Sequence, residues 1–142
     1  MEDGRLQDIL KDYWHGLKAD RAGLPAEAEI DPEVLEKIWK NCFLVQIHST
    51  HRYQYDYLGA NLVDAYGEDY TTGDEADRLV SPYTNHAIQV FDEVVKNRQP
   101  MADAGEFVNS YHLLIKYRQY LLPFGKGDKV THILGGMRWK AY

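Results

Sequence analysis

Three tyrosines at alternate positions, Tyr53, Tyr55 and Tyr57 in "RYQYDYL", set a row of phenols along one strand face. Phenols can line a pocket with ring area and a polar tip, or fill a core while their hydroxyls reach its rim. Histidines offer a second chemistry. His48 and His51 in "HSTH" stand three apart, His86 falls in a later helical segment, and His112 and His132 lie in the final third. A metal site needs three or four ligands and supporting partners. No cysteine pair or HExxH accompanies these histidines, so no metal site is expected. Asp56, Asp64, Glu68 and Asp69 lie close together but on polar faces or in loops, where solvation accounts for them. The sequence has no GxSxG, no glycine-rich phosphate loop and no cysteine with an evident histidine base. No catalytic residue is assigned, and an enzyme is not expected.

The 142 residues fit one domain, with 44% hydrophobic and 27% charged residues placing the chain among globular proteins. The acidic, amphipathic start "MEDGRLQDILKDYW" does not read as a secretory signal, and no apolar run is long enough to span a bilayer. A single cysteine, Cys42, excludes an internal disulfide and points to a reducing, cytoplasmic setting. The net charge of −6 argues against a sequence-independent grip on nucleic acid. Lys116, Arg118, Arg138 and Lys140 form a local basic group that reads as a solvated strand face.

Several elements must position these residues. Leu6, Ile9, Leu10, Tyr13, Trp14 and Leu17 recur at helical spacing over residues 4–20, predicting an amphipathic helix that ends near Gly23. Its stripe needs a partner, either the outer face of this domain or a second copy of the chain. "IDPEVLEKIWKN" predicts a second helix, with Asp31 as N-cap, Pro32 at N1, and Val34, Leu35, Ile38 and Trp39 buried. "CFLVQI" and "RYQYDYL" form a hairpin whose first strand is apolar on both faces and therefore central. Gly59 to Gly67 is a short helix, and residues 68–80 are loop with one further turn. Ser81 and Pro82 open a long helix to about Asn97, burying Tyr83, His86, Ala87, Val90, Phe91, Val94 and Val95. Three strands follow: "MADAGEFV", "YHLLIKYRQYLLPF" after a turn at Asn109-Ser110, and "KVTHILGGMRW", where Gly135-Gly136 marks a bulge or a close backbone approach. Strand hairpins split by a helical block make an α+β domain.

The order resembles a PAS domain, and more narrowly the bacterial, alphaproteobacterial single-PAS group of the PAS_5 type. The likeness rests on "DYWHGLKADRAGLPAEAEIDPE", "FLVQIHSTHRYQYDYLGANLVDAYGEDYT" and "YRQYLLPFGKGDKVTHILGGM", together almost end to end. The chain departs from the family's usual Arg-Leu-Val-Gly at Asp56 to Gly59, and from its Leu-Thr-Gly at Tyr70 to Gly73. The resemblance implies the PAS fold: a five-stranded antiparallel sheet in the order 2-1-5-4-3, with helices on one face and an extra N-terminal helix. The division it suggests is 1–25 for that helix, as cap or dimer contact, and 26–142 for the PAS domain.

The resemblance also implies a sensory or interaction role in bacterial signalling, with a small molecule in the cavity between sheet and helices and output through protein contacts. The expected ligand-binding residues are Tyr55, Tyr57, Leu62, Tyr66, His86, Val90 and Tyr117. The expected homodimer interface is Leu6, Ile9, Leu10, Tyr13, Trp14 and Leu17. The ligand's identity stays open. His86 falls where haem-binding relatives carry an axial ligand, but a single histidine at a core boundary is more often packed and hydrogen-bonded. "KNCFLVQ" superficially matches the flavin photosensor motif "NCRFLQ", yet Cys42 opens the first strand instead of lying on a central helix, so flavin is not expected. A ligand-free interaction or dimerisation module is the alternative reading. An enzyme on another α+β cavity fold is the third.

Overall fold

The computed structural model describes residues 2–81 and 86–142. The elements run α1 (Glu2–Lys18), β1 (Cys42–Ser49), β2 (Arg52–Leu58), α2 (Ala60–Tyr66), α3 (Ala87–Asn97), β3 (Met101–Val108), β4 (Leu114–Lys126) and β5 (Lys129–Ala141). The strands form one antiparallel sheet in the order β2-β1-β5-β4-β3, as expected. α2 and α3 pack on its inner face. Because side chains alternate along each strand, the outer face is a separate surface, and α1 covers part of it.

Leu6, Leu10 and Trp14 are the buried stripe of α1, at 4%, 0% and 1% exposure, and they lie on β4 and β5 of their own chain. The Trp14 indole donates from Nε1 to the Pro123 carbonyl at 2.7 Å. This corrects their assignment to a dimer interface: the helix spends these three residues within the chain. Ile9, Tyr13 and Leu17 are half-buried at the margin of the same core. The Tyr13 hydroxyl donates to the Glu29 carbonyl at 2.8 Å and accepts from the Asp31 amide, tying the helix to the segment that follows. The helix ends at Lys18, earlier than Gly23, and Ala19 takes a positive φ of 38°.

The Gly135-Gly136 pair explains how both layers approach so closely. A β-carbon on Gly135 would lie 2.2 Å from Phe43 Cζ on the inner face. One on Gly136 would lie 2.5 Å from Leu10 Cδ1 on the outer face. The β4–β5 register runs regularly past both, so the pair marks a close approach on each face and no bulge.

Residues 31–41 are not the expected α-helix. They form successive turns and a 3-10 turn at Trp39–Asn41. Asp31 does cap, its Oδ1 accepting from the Glu33 amide at 3.0 Å. The buried residues are Leu35 and Ile38, three apart, on i→i+3 bonds from Ile38 to Leu35 and from Asn41 to Ile38. That spacing suits three residues per turn. Val34 is 65% exposed, not buried.

The long helix is described from Ala87, with His86 at its N-cap; Pro82 and Tyr83 lie outside the described residues. The β3–β4 connection is a five-residue loop, 109–113, and not a two-residue turn. Asn109 organises it: its side-chain oxygen accepts from the amides of Tyr111 and Leu113, and its Nδ2 donates to the Ala65 carbonyl at 3.0 Å. Tyr111 and His112 therefore lie in the loop and not on β4.

Candidate functional site

The inner sheet face and the two helices enclose the candidate site. β1 contributes Phe43 and Val45, β2 contributes Tyr53 and Tyr55, β3 contributes Phe107, and β4 contributes Tyr117. α2 directs Leu62 and Tyr66 inward, and α3 directs Ala87, Val90, Phe91 and Val94. Gly67, at φ 81°, closes α2 in the left-handed conformation that glycine adopts without strain.

Rings fill this space in one continuous series. Tyr53 meets Phe91 edge-on at 5.1 Å between centroids, Phe91 meets Phe43 at 5.9 Å, and Phe43 meets Tyr55 at 6.5 Å. Tyr55 stacks on Tyr70 at 5.8 Å, Tyr70 meets Tyr66 at 5.5 Å, and Tyr66 stacks on Phe107 at 5.0 Å. Phe107 then meets Tyr117 at 5.9 Å, and Tyr117 faces His86 at 6.3 Å. These separations are those of aromatic pairs in contact. The series is shielded from bulk water. Tyr55, Leu62, Tyr66, Val90, Phe107 and Tyr117 are all 6% exposed or less. Burial pushes the Tyr55 hydroxyl well above its ordinary pKa, helped by the hydrogen bond and charge of Tyr66 and by Tyr70. It stays neutral and acts as a hydrogen-bonding group, not as an acid or base.

Five of the seven expected ligand-binding residues come together inside: Tyr55, Leu62, Tyr66, Val90 and Tyr117. Tyr57 does not. β2 carries a bulge, with Tyr55 paired to Val45 but Tyr57 paired to the adjacent Leu44. The extra residue, Asp56, reverses the alternation and sends Tyr57 to the outer face. There it stacks on Trp39 at 4.5 Å and 13°, and its hydroxyl donates to the Trp39 carbonyl at 2.8 Å.

His86 stands at the rim, with its side chain 40% exposed. Its Nε2 lies 3.1 Å from Asp103 Oδ1, and the other Asp103 oxygen accepts from Gln119 Nε2 at 2.8 Å. That pairing engages one ring nitrogen with a carboxylate. The rings missed by sequence reasoning are Phe43, Tyr70 and Phe107. Phe43 was read only as part of a strand apolar on both faces, and Tyr70 lies in a loop without periodicity.

Cys42 is buried on the outer face, paired in register with Gly136, and its thiol donates to the Ile38 carbonyl at 3.3 Å. Burial pushes its pKa up to about 12. It is an inert small side chain with the sheet between it and the ring series, so these residues do not fit a flavin held by a reactive cysteine. Among the described residues, no group of three His, Cys, Asp or Glu side chains could hold a metal ion. Three further histidines lie beside acids: His48 is 3.0 Å from Glu75, and His51 is 2.6 Å from Asp92. His132 lies 3.6 Å from Glu27 and 3.7 Å from Asp56.

Surface clefts are also present among the described residues. One, of about 620 Å³, lies at the β1–β2 tip and is lined by His48, His51, Tyr53, Asp92, Lys96 and Lys129, among others. Another, of about 360 Å³, lies on the outer face beside α1, lined by Leu6, Ala102, Asp103, Arg118, Gly136 and Arg138, among others.

A five-stranded sheet of this order, with helices over its inner face and a ring-lined interior, defines a PAS-type sensory fold. The chain belongs to the PAS domain family, whose family model matches residues 3–138. Solved structures share the fold at low identity. A light-oxygen-voltage domain studied with a flavin analogue is 12% identical, over 76% of this chain and 82% of that chain, at a TM-score of 0.56. The light-state structure of the blue-light photoreceptor Aureochrome1 LOV is 9% identical, over 75% and 85%, at 0.52. The PAS domain from the fruit-fly ELK potassium channel is 14% identical, over 72% and 87%, at 0.50. No curated protein matches the chain. Among the described residues, no helix is long and apolar enough to cross a membrane.

Proposed function

We propose that this PAS domain is a cytoplasmic signalling module that acts through protein contacts, with its interior closed by its own side chains. The observation that carries this reading is the unbroken ring series from Tyr53 to Tyr117 in the place where the family resemblance implied a cavity. A packed aromatic core transmits a contact made on one face of the sheet to the other, because such cores resist continuous deformation. Homodimerisation belongs to this reading, through surfaces other than Leu6, Leu10 and Trp14. Native mass spectrometry and an absorbance scan of freshly purified protein test it. The bare chain mass without a visible or near-ultraviolet chromophore band supports the reading, whereas a retained stoichiometric small molecule would falsify it.

Small-molecule sensing is the second reading, and Tyr70 favours it. This ring closes the series from a loop whose later residues, Thr72 to Asp77, are exposed, and it is itself only half-buried. Its outward swing is the route by which a flat ligand would enter between Tyr55 and Tyr66.

A further inference from the structure

The two edges of the sheet differ. Beyond β2, Leu79 bridges Gln54 and the Val80 amide donates to the Tyr53 carbonyl at 2.9 Å, so later residues cover part of that edge. β3, at the other edge, pairs with β4 in unbroken register from Met101 to Val108. It contains no proline and no lysine, residues that commonly blunt an exposed edge. Hydrogen-bonded and non-hydrogen-bonded pairs alternate along an antiparallel ladder. The Tyr142 amide donates to the Leu114 carbonyl, and the Asn109 amide to the Leu113 carbonyl. Leu114 therefore turns its main chain to β5, and Ile115 turns its main chain to β3. Stepping in twos, Met101, Asp103, Gly105 and Phe107 bond to β4, whereas Ala102, Ala104, Glu106 and Val108 turn their amides and carbonyls away from it. The side chains of those four are exposed on the outer face, because Gly105 between them is paired with the inward Tyr117. Val108 is 61% exposed. Glu106 and Arg118 have no ion-pair partner among the described residues. The 360 Å³ cleft lies just inside this edge, over Ala102, Ala104, Arg118 and Tyr120.

We infer that this edge is a homodimer interface, with β3 of a second copy paired antiparallel to β3 about a two-fold axis at Gly105. The register follows from hydrogen bonding and charge. Outward residues pair only with outward residues, which excludes placing Asp103 opposite Glu106. An axis at Asp103 or at Glu106 sets identical carboxylates opposite each other, which is destabilising. An axis at Ala104 sets Val108 opposite Pro100, which has no amide proton to give. The axis at Gly105 pairs Ala104 with the second copy's Glu106, and Ala102 with its Val108. Small side chains then make room for larger ones in the cleft. The second copy's Glu106 passes over Ala104 to Arg118 on the next strand, about 9–10 Å away between main chains, and its Val108 covers Ala102 beside Tyr120. The two-fold axis makes each contact twice. Each copy carries a net charge of −6, but that repulsion is spread over the surface and screened by salt, whereas the Glu106–Arg118 pairs form in contact. The inference rests on the protein-contact reading above and names the homodimer surface which that reading leaves open.

The test is sedimentation velocity of the 142-residue chain at physiological salt over a concentration series. The expected result is a dimer for the unaltered chain. Glu106→Arg and Arg118→Glu each weaken it about tenfold or more, because each sets like charges in both contacts. An equal mixture of the two variants recovers the dimer, since each supplies the charge that the other lacks. Ala104→Pro removes an outward donor and no bond to β4, and it also weakens the dimer. Circular dichroism shows which variants are folded. Amide hydrogen exchange of the unaltered chain needs no variant: exchange at Ala102, Ala104, Glu106 and Val108 slows as protein concentration rises. A monomeric unaltered chain, a dimer that the folded variants leave intact, a mixture that stays monomeric, or outward amides whose exchange is independent of concentration overturns the inference. Those outcomes leave the ring-filled interior standing, whereas a small molecule retained in native mass spectrometry removes the reading beneath it.

Discussion

Tyr55 and Tyr57, two positions apart on β2, face opposite sides of the sheet. Tyr55 pairs with Val45 and joins Phe43, Tyr66 and Tyr70 in the interior. Tyr57 pairs with Leu44 and stacks on Trp39 outside. Their substitutions should therefore differ in kind. Tyr55→Ala opens a hole in the ring series and costs about 3–5 kcal/mol. Tyr57→Ala removes a half-buried stacked pair and one hydrogen bond, costing about 1–3 kcal/mol. Urea unfolding measures both, and tryptophan fluorescence should change markedly in Tyr57→Ala, because Trp39 loses the ring stacked on it.

Gly135 and Phe43 form a second coupled pair. Gly135→Ala presses a methyl group into a Phe43 ring held by Tyr55 and Phe91, and costs about 1–3 kcal/mol. Gly136→Ala meets the ends of the Leu10 and Leu6 side chains, which can shift, and costs less. A double-mutant cycle gives the check: Gly135→Ala combined with Phe43→Leu should be less destabilised than the sum of the two single changes.

α1 belongs to the folded unit. Leu10 is fully buried on β5, and the Trp14 indole is bonded to the Pro123 carbonyl. Leu10→Ala should cost about 2–5 kcal/mol, and a chain lacking residues 1–25 should melt at a lower temperature than the full chain. Differential scanning calorimetry should find one transition for the full chain, not separate transitions for residues 1–25 and 26–142. Sedimentation of exposed-face variants of α1 then reads dimerisation without disturbing this core.

The tyrosines make the fold sensitive to alkali. Burial raises the pKa of Tyr13, Tyr53, Tyr55, Tyr57 and Tyr120 above the ordinary value of 10.0. A neutral acid with a raised folded pKa contributes stability that is fully present below its unfolded pKa and is lost as pH rises through the folded one. Stability should hold up to about pH 10 and then fall. In a spectrophotometric titration at 295 nm, the late tyrosinate signal should rise together with loss of the far-ultraviolet circular dichroism.

Much of the architecture was legible because it is local. Apolar strands, the Gly59–Gly67 helix and the order of elements follow from alternation, helical spacing and turn residues. The face of Tyr57 was not legible, because reading a face from parity assumes regular pairing, and the Asp56 bulge is set by the partner strand. Residues 31–41 carried a helix-capping signal, but their buried residues are only Leu35 and Ile38, so packing favoured i→i+3 turns. The partner of α1 was undecided in sequence, because one amphipathic stripe fits a sheet or a second chain equally well. The space opened by Gly136 decides it, and that space exists only in three dimensions.

The most direct test of the central claim is a crystal structure of the protein purified without added ligand, inspected between α3 and the sheet. The account predicts that Phe43, Tyr55, Tyr66, Phe107 and Tyr117 occupy that space in ring-to-ring contact, with no density that is not protein. A bound molecule lying between Tyr55 and Tyr66, with Tyr70 displaced, would contradict it.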